Sequence, residues 1–98
     1  MFIRIVKLTI APASVPAFHA LFEKYKSQIR NQEGCRGLRL LIDKNDPRIH
    51  FTYSHWEKEE DLERYRNSAL FAEVWGTTKT FFEEKAQAWS VDEHTVLP

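Results

Sequence analysis

The sequence predicts an α+β fold, with one antiparallel four-stranded sheet built in the order β-α-β-β-α-β. Three observations predict it. Residues 2–10 are rich in β-branched residues, with Phe2, Val6, Leu8 and Ile10 on one parity and Ile3 and Ile5 on the other. From residue 15 the apolar side chains fall at Val15, Phe18, Phe22, Tyr25 and Ile29, a 3-4-3-4 spacing that makes one helical stripe. Two further apolar stretches, 37–42 and 48–56, flank the polar run Asp43-Lys44-Asn45-Asp46-Pro47 and so read as a hairpin.

The remaining elements follow in order. Ala11-Pro12 ends the first strand, because proline removes an N–H from the ladder. Ser14 is expected to cap the first helix, with Pro16 in its first turn. Leu21 widens the apolar stripe, which fades at Asn31, and Gly34 supplies the left-handed residue that follows a helix end. After the hairpin, Glu57 to Arg66 forms a charged helix with Leu62 and Tyr65 inward. Asn67-Ser68 breaks it, and Ser68 caps a shorter helix carrying Leu70, Phe71, Val74 and Trp75. Gly76 with Thr77-Thr78 is expected to loosen the chain before Phe81-Phe82. Residues 85–91 make the fourth strand, and 92–98 form a polar tail.

This is the ferredoxin-like split βαβ arrangement, with both helical segments on one side of the sheet. Its second face would normally alternate towards polar residues. Here Ile3 and Ile5 of strand one, with Ile49, Phe51 and Tyr53 of strand three, make that face apolar too. A second copy of the chain is the simplest cover, so a homodimer joined sheet to sheet is expected.

Ninety-eight residues make one domain, with a core over 2–91. The chain is 43% hydrophobic and 29% charged, an ordinary globular balance. Fourteen basic residues cancel fourteen acidic ones. That argues against nucleic-acid or anionic-membrane partners, both of which need a basic footprint. A single cysteine cannot form an internal disulfide, which points to the cytoplasm. No apolar run approaches a membrane span, and the alternating start does not read as a signal peptide.

No metal site is expected, since His19, His50, His55 and His94 are scattered without ligand spacing. There is no Gly-rich phosphate loop and no nucleophile elbow. Cys35 reads as a small packed residue, and the acidic run at 57–61 as a solvated helix start. What stands out is the 13% of aromatic residues. Trp56, Tyr65, Phe71 and Trp75, with Phe18 and Phe22, can converge between sheet and helices. Such rings either fill a core or line a pocket for a flat ligand.

Several local patterns then coincide: Glu33-Gly34-Cys35 entering strand two, Trp56 closing strand three, and Leu62-Glu63-Arg64-Tyr65 running into Asn67-Ser68 and Phe71. Together they resemble the antibiotic biosynthesis monooxygenase family of small dimeric α+β-barrel proteins. The resemblance covers Phe2 to Val91, and its most specific stretch runs from His55-Trp56-Glu57 to Ser68-Ala69-Leu70-Phe71. It implies one fold and several activities, including cofactor-independent oxygenases of aromatic polyketides, quinol monooxygenases and haem-degrading enzymes. Two of these routes meet departures. Haem-degrading relatives use a histidine, a Trp and an Asn where this chain has Trp75, Tyr65 and, at about the strand-one position, Val6. Many quinol-type relatives carry Glu and His where this chain has Ser54 and Leu70. Haem degradation is therefore not expected.

The resemblance implies a monooxygenase without metal, haem or other cofactor, acting on a small aromatic or quinol-like metabolite. The substrate itself, as a phenol or enol anion, would give the electron to oxygen. The binding residues expected are Trp56, Tyr65, Phe71, Trp75, Phe22 and Ser54, with Trp56 nearest the bound ring. His50, on the parity of Thr52, Ser54 and Trp56, and Tyr65 are the candidate catalytic groups. For His50 a solvated hairpin histidine is the competing and preferred reading. Arg39 is a further oxyanion candidate, with exposure on an edge strand as its alternative. A non-catalytic dimer that binds a small ligand in the same pocket is the alternative function.

Overall fold

Residue parity divides the sheet into two surfaces. The computed structural model describes residues 1–98 and contains four strands: β1 (Phe2–Thr9), β2 (Cys35–Ile42), β3 (Ile49–Trp56) and β4 (Gln87–Asp92). They lie in the order β2-β3-β1-β4, every pair antiparallel. The helices are α1 (Val15–Arg30), α2 (Glu59–Arg66) and α3 (Ala69–Thr78). The fold is ferredoxin-like α+β, as the hydrophobic periodicities predict. No helix is long and apolar enough to cross a membrane.

The register fixes what each surface carries. Phe2 pairs with Trp56, Arg4 with Ser54 and Val6 with Thr52, so these even-numbered side chains share the helix-covered face. Ile3, Ile5, Phe51 and Tyr53 share the other face. Two packed clusters hold the covered side together. One joins Phe2, Cys35, Trp56 and Leu62, with Tyr65 against it. The other joins Leu8, Ile10 and Phe18, with Trp75 and Phe82 among the side chains against it. Leu8 and Ile10 are essentially inaccessible, and each such side chain contributes about 1.5–3 kcal/mol by leaving water.

The turn from α1 into β2 needs its glycine. Gly34 has φ of 82°, and a Cβ there would collide with the carboxylate of Asp61. Asp61 is itself buried and takes a hydrogen bond from Arg64 at 2.9 Å. The Gly34 carbonyl accepts from the Glu57 N–H at 2.9 Å, which ties the start of β2 to the end of β3. Pairing consequently begins at Cys35, two residues before the expected strand start.

Four other details depart from the sequence reading. Ser14 does not cap α1: it lies in a short 3-10 turn, Pro12–Ser14, and its side chain makes no cap bond. The proline-led turn already satisfies local geometry there. The second helix starts at Glu59 instead of Glu57, since Glu57 is held in the sheet-end turn by Gly34. Gly76 does not loosen the chain. α3 continues through it to Thr78, whose hydroxyl donates to the Val74 carbonyl at 2.7 Å. A mid-helix glycine costs only about 1 kcal/mol, which the packing of Trp75 and Thr78 on either side offsets. Finally, β4 starts at Gln87, where its pairing with Lys7 begins, after Phe81 and Glu83 have bonded to Ala11 and Thr9 just past the end of that ladder.

Ser68 does cap α3: its hydroxyl oxygen accepts from the Phe71 N–H at 3.1 Å and donates to the Tyr65 carbonyl at 2.6 Å. Those two hydrogen bonds tie the end of α2 to the start of α3. On the outer sheet face, Leu41, Trp89 and Val91 remain exposed. The tail lies against part of this surface, beside Ile3 and Tyr53, with Glu93 3.4 Å from His55.

Candidate functional site

A cavity of about 290 Å³ lies between the sheet and the helices. Fourteen of its nineteen lining residues are apolar, which makes it a place where water is poorly held. β1 and β3 supply its floor through Val6, Leu8, Thr52 and Ser54, and α1 supplies Phe22. α2 and α3 close it with Tyr65, Phe71 and Trp75.

The rings form a continuous wall. Trp56 and Tyr65 stack with centroids 5.5 Å apart, and Phe71 meets Tyr65 edge-on at 5.2 Å. Phe71 and Trp75, one helical turn apart, stack at 5.8 Å with planes 9° from parallel. Trp75 then meets Phe82 edge-on at 5.5 Å. The wall is packed along its own length and still leaves the cavity beside it.

The six expected binding residues, Trp56, Tyr65, Phe71, Trp75, Phe22 and Ser54, all border this one cavity. Two of them are engaged in ways the spacing did not show. The Trp56 indole N–H donates to the Ser54 hydroxyl at 2.9 Å, in a buried bond. Trp56 is only 1% exposed and lies under Tyr65, so it forms the inner end of the cavity. Tyr65 presents more of its ring, and burial, with a smaller effect from Cys35, pushes its phenol up to about 12. At neutral pH its hydroxyl is a hydrogen-bond donor, not a base.

His50 lies elsewhere. It is completely buried and does not border the cavity, so it is neither a rim base nor a solvated hairpin residue. The physical reason is α1, which lays Phe18 and His19 over the start of β3. Phe18 meets the His50 ring edge-on at 5.2 Å, and the two histidines face each other through Nε2 atoms 2.8 Å apart. The His50 Nδ1 lies 3.2 Å from the Arg48 carbonyl, which can only accept, so Nδ1 carries the proton and Nε2 accepts from His19. Burial holds the His50 pKa below its usual value, the Arg48 carbonyl bond opposes this, and His19 adds to the lowering.

Other candidates also resolve. Arg39 is exposed on the outer face, its guanidinium 5.8 Å from the Tyr53 ring centre. Cys35 is buried against Trp56, inside the first cluster. No group of three or more His, Cys, Asp or Glu side chains is placed to hold a metal ion.

Sequence reasoning missed two residues, Arg4 and Arg66, both of which border the cavity. The signals were present. Arg4 shares the parity of Val6 and Leu8, and Arg66 lies four residues after Leu62 on the inward face of α2. Arg4 is half-buried and donates from Nη1 to the Ser90 hydroxyl at 3.1 Å. Its pKa is lowered by burial and by the Arg66 charge, against an opposing effect of Glu63.

Comparison with known proteins gives the same architecture from another direction. A solved antibiotic biosynthesis monooxygenase superposes with a TM-score of 0.90 at 16% identity, over 97% of this chain and 100% of that one. A conserved protein from Methanosarcina mazei Go1 gives 0.88 at 20% identity, over 95% and 93%. A protein from Pseudomonas aeruginosa gives 0.84 at 18% identity, over 96% and 94%. At these identities the likeness speaks for the fold alone. No match was found among the curated proteins. The family model described as antibiotic biosynthesis monooxygenase matches residues 1–75, from β1 through most of α3. Since the match spans β1, β2 and β3 with α1, α2 and most of α3, this chain belongs to the antibiotic biosynthesis monooxygenase family.

Proposed function

We propose that this chain is a monooxygenase that oxidises a small aromatic or quinol-like metabolite inside the cavity, without a bound cofactor. The observation that carries the reading is the cavity: a mostly apolar, ring-walled space of about 290 Å³ in a chain of this family. That volume is at the small end for ligand sites, which run to roughly 300–1,000 Å³. It suits one or two fused rings.

The chemistry follows from what the walls offer. An electron-rich phenol or enol enters as its anion and passes an electron to dioxygen. The two radicals join at a ring carbon, and loss of water leaves a carbonyl there. One oxygen atom stays in the product, and the other departs as water with the two hydrogens the substrate loses. Tyr65, neutral at working pH, donates a hydrogen bond to the substrate oxygen, while Phe71 and Trp75 hold the ring plane and exclude water.

The assembly proposed is a homodimer joined through the outer sheet face, where Leu41, Trp89 and Val91 are exposed. A stable interface should bury at least about 1,000 Å². A cytoplasmic location fits the one cysteine, which is buried and unpaired.

One observation favours a second reading. The only titratable side chains that border the cavity are Arg4, Tyr65 and Arg66, so no imidazole or carboxylate is there to take a proton. A non-catalytic dimer that binds a small ligand needs none. Oxygen uptake with a panel of dihydroxyarenes decides between them. The oxygenase reading expects uptake matched by a product gaining one oxygen and losing two hydrogens. Saturable binding with no uptake by any member would instead establish the binding protein.

A further inference from the structure

Arg4 and Arg66 are the only charged members of a mostly apolar lining. A guanidinium carries five N–H donors and stays charged in proteins. Of the Arg4 donors, one goes to the neutral Ser90 hydroxyl, and no carboxylate lies within salt-bridge distance of this residue. Arg66 has one acidic neighbour, Glu63, at 3.7 Å on the exposed side of α2. Such a surface pair holds its arginine only weakly. No Asp or Glu borders the cavity at all. Two cations therefore share a small, mostly apolar space whose lining holds no anion, the nearby carboxylate being that of Glu63 outside it.

The positions make this pairing specific. Arg4 extends from the central strand between Ser54 of β3 and Ser90 of β4, its partners in register. Arg66 ends α2, directly after Tyr65. Ala88, which borders the cavity, and Ser90 on the same parity of β4 are both exposed, so the cavity meets solvent on this side. A ligand that enters here would meet the arginines first and the rings beyond them. Since no lining group accepts a proton, a ligand whose charge is needed must arrive already ionised.

We propose that Arg4 and Arg66 form an anion-binding mouth, and that the ligand of this cavity is a flat aromatic acid, bound as its anion with the charged oxygen between the two guanidiniums. The proposal rests on the cavity being a ligand site and narrows what that site takes. Charged oxygen on a planar ring has two sources, a carboxylate and an enol acidic enough to ionise at neutral pH. Charge-assisted bonds to guanidinium suit both.

The test is saturable quenching of tryptophan fluorescence with two matched pairs of probes. One pair is 2-naphthoate and 2-naphthamide; the other is 2-hydroxy-1,4-naphthoquinone, ionised at neutral pH, and its neutral 2-methoxy ether. The proposal expects at least one anion to bind about tenfold or more tightly than its neutral partner, as one charge-assisted hydrogen bond implies. The pair that shows the preference identifies the source of the charge. The preference should fall to near unity in Arg66→Gln, a substitution at an exposed helix end, and in Arg4→Gln, while Arg4→Lys retains part of it. Equal binding of both members in both pairs overturns the anion mouth and leaves the cavity as a neutral-ligand site. A preference that survives both glutamine variants overturns it as well. If no probe binds, the cavity reading itself fails, and the anion mouth fails with it.

Discussion

Tyr65 lies over Trp56 with the two ring planes 21° from parallel, so the more accessible ring shields the buried one. The arrangement separates the roles of two residues that the sequence presents alike. Trp56→Ala empties the inner end of the core and should cost about 3–5 kcal/mol, measured by urea unfolding. Tyr65→Phe keeps the stack and removes only the hydroxyl. In an absorbance titration, wild type should show one tyrosine ionising near pH 12, and the variant should lack it. The unfolded phenol ionises near 10, so Tyr65 adds stability below that pH that is lost as pH climbs towards 12. The alkaline unfolding of Tyr65→Phe should therefore begin at higher pH.

A second prediction concerns the buried histidine. Folded His50 resists protonation, whereas the unfolded chain protonates it near pH 6.5. Its contribution is present above that pH and is lost as pH falls towards the depressed folded value. Stability should drop between pH 7 and pH 5, by at most about 1.4 kcal/mol per pH unit for one proton. His50→Gln should unfold more easily at pH 7 and show a shallower slope. An unchanged slope would assign the acid sensitivity to other groups.

Two glycines should respond in opposite directions. Gly34→Ala combines a left-handed backbone with a collision against Asp61, so a loss of several kcal/mol is expected by thermal melting. Gly76 has open space around its missing Cβ and sits inside α3. Gly76→Ala should add about 0.5–1 kcal/mol.

The proposed dimer is open to a direct challenge at Phe51, which projects from β3 onto the outer face opposite Lys7 and Leu41. Phe51→Asp would bury a carboxylate without a partner and should shift the population towards monomer in light scattering. A wild-type monomer at micromolar concentration would remove the dimer from the proposal.

Haem offers a further check. No histidine borders the cavity, and Trp75 forms part of its wall. Indole has no free lone pair for iron. Haemin titration should give no sharp, histidine-ligated Soret band, and a stoichiometric band that bleached with reductant and oxygen would contradict this.

The fold was legible because its signals are periodic. The 3-4 spacing of α1 reports which side faces the core, the β-branched runs of β1 and β3 report strands, and Ser68 caps α3 as its residue type suggests. Boundaries were less legible where one segment restrains another: Glu57 is held by Gly34, and Gly76 stays helical between packed neighbours. In the site, bulky rings announced themselves and the arginines did not. An arginine on an inward parity is read as a surface residue unless its apolar neighbours are weighed with it. His50 was misplaced for the converse reason: strand parity gives the face of a side chain, and only the fold shows that α1 crosses above it.

The division of β1 into two surfaces constrains how this chain can vary. Alternate residues of one eight-residue strand border the cavity and the outer face. Substitution can retune either surface alone, because exchanging Val6 leaves Ile5 where it is. Insertion cannot. One added residue would turn Arg4 and Val6 outward and bring Ile3 and Ile5 into the cavity, exchanging the two surfaces together. Length changes are thus confined to places outside the ladder, such as the Asp43–Pro47 turn, where the Asp43 carboxylate accepts from the N–H groups of Asn45 and Asp46. Ligand preference and assembly can drift independently by point changes, while the length of the central strand stays fixed.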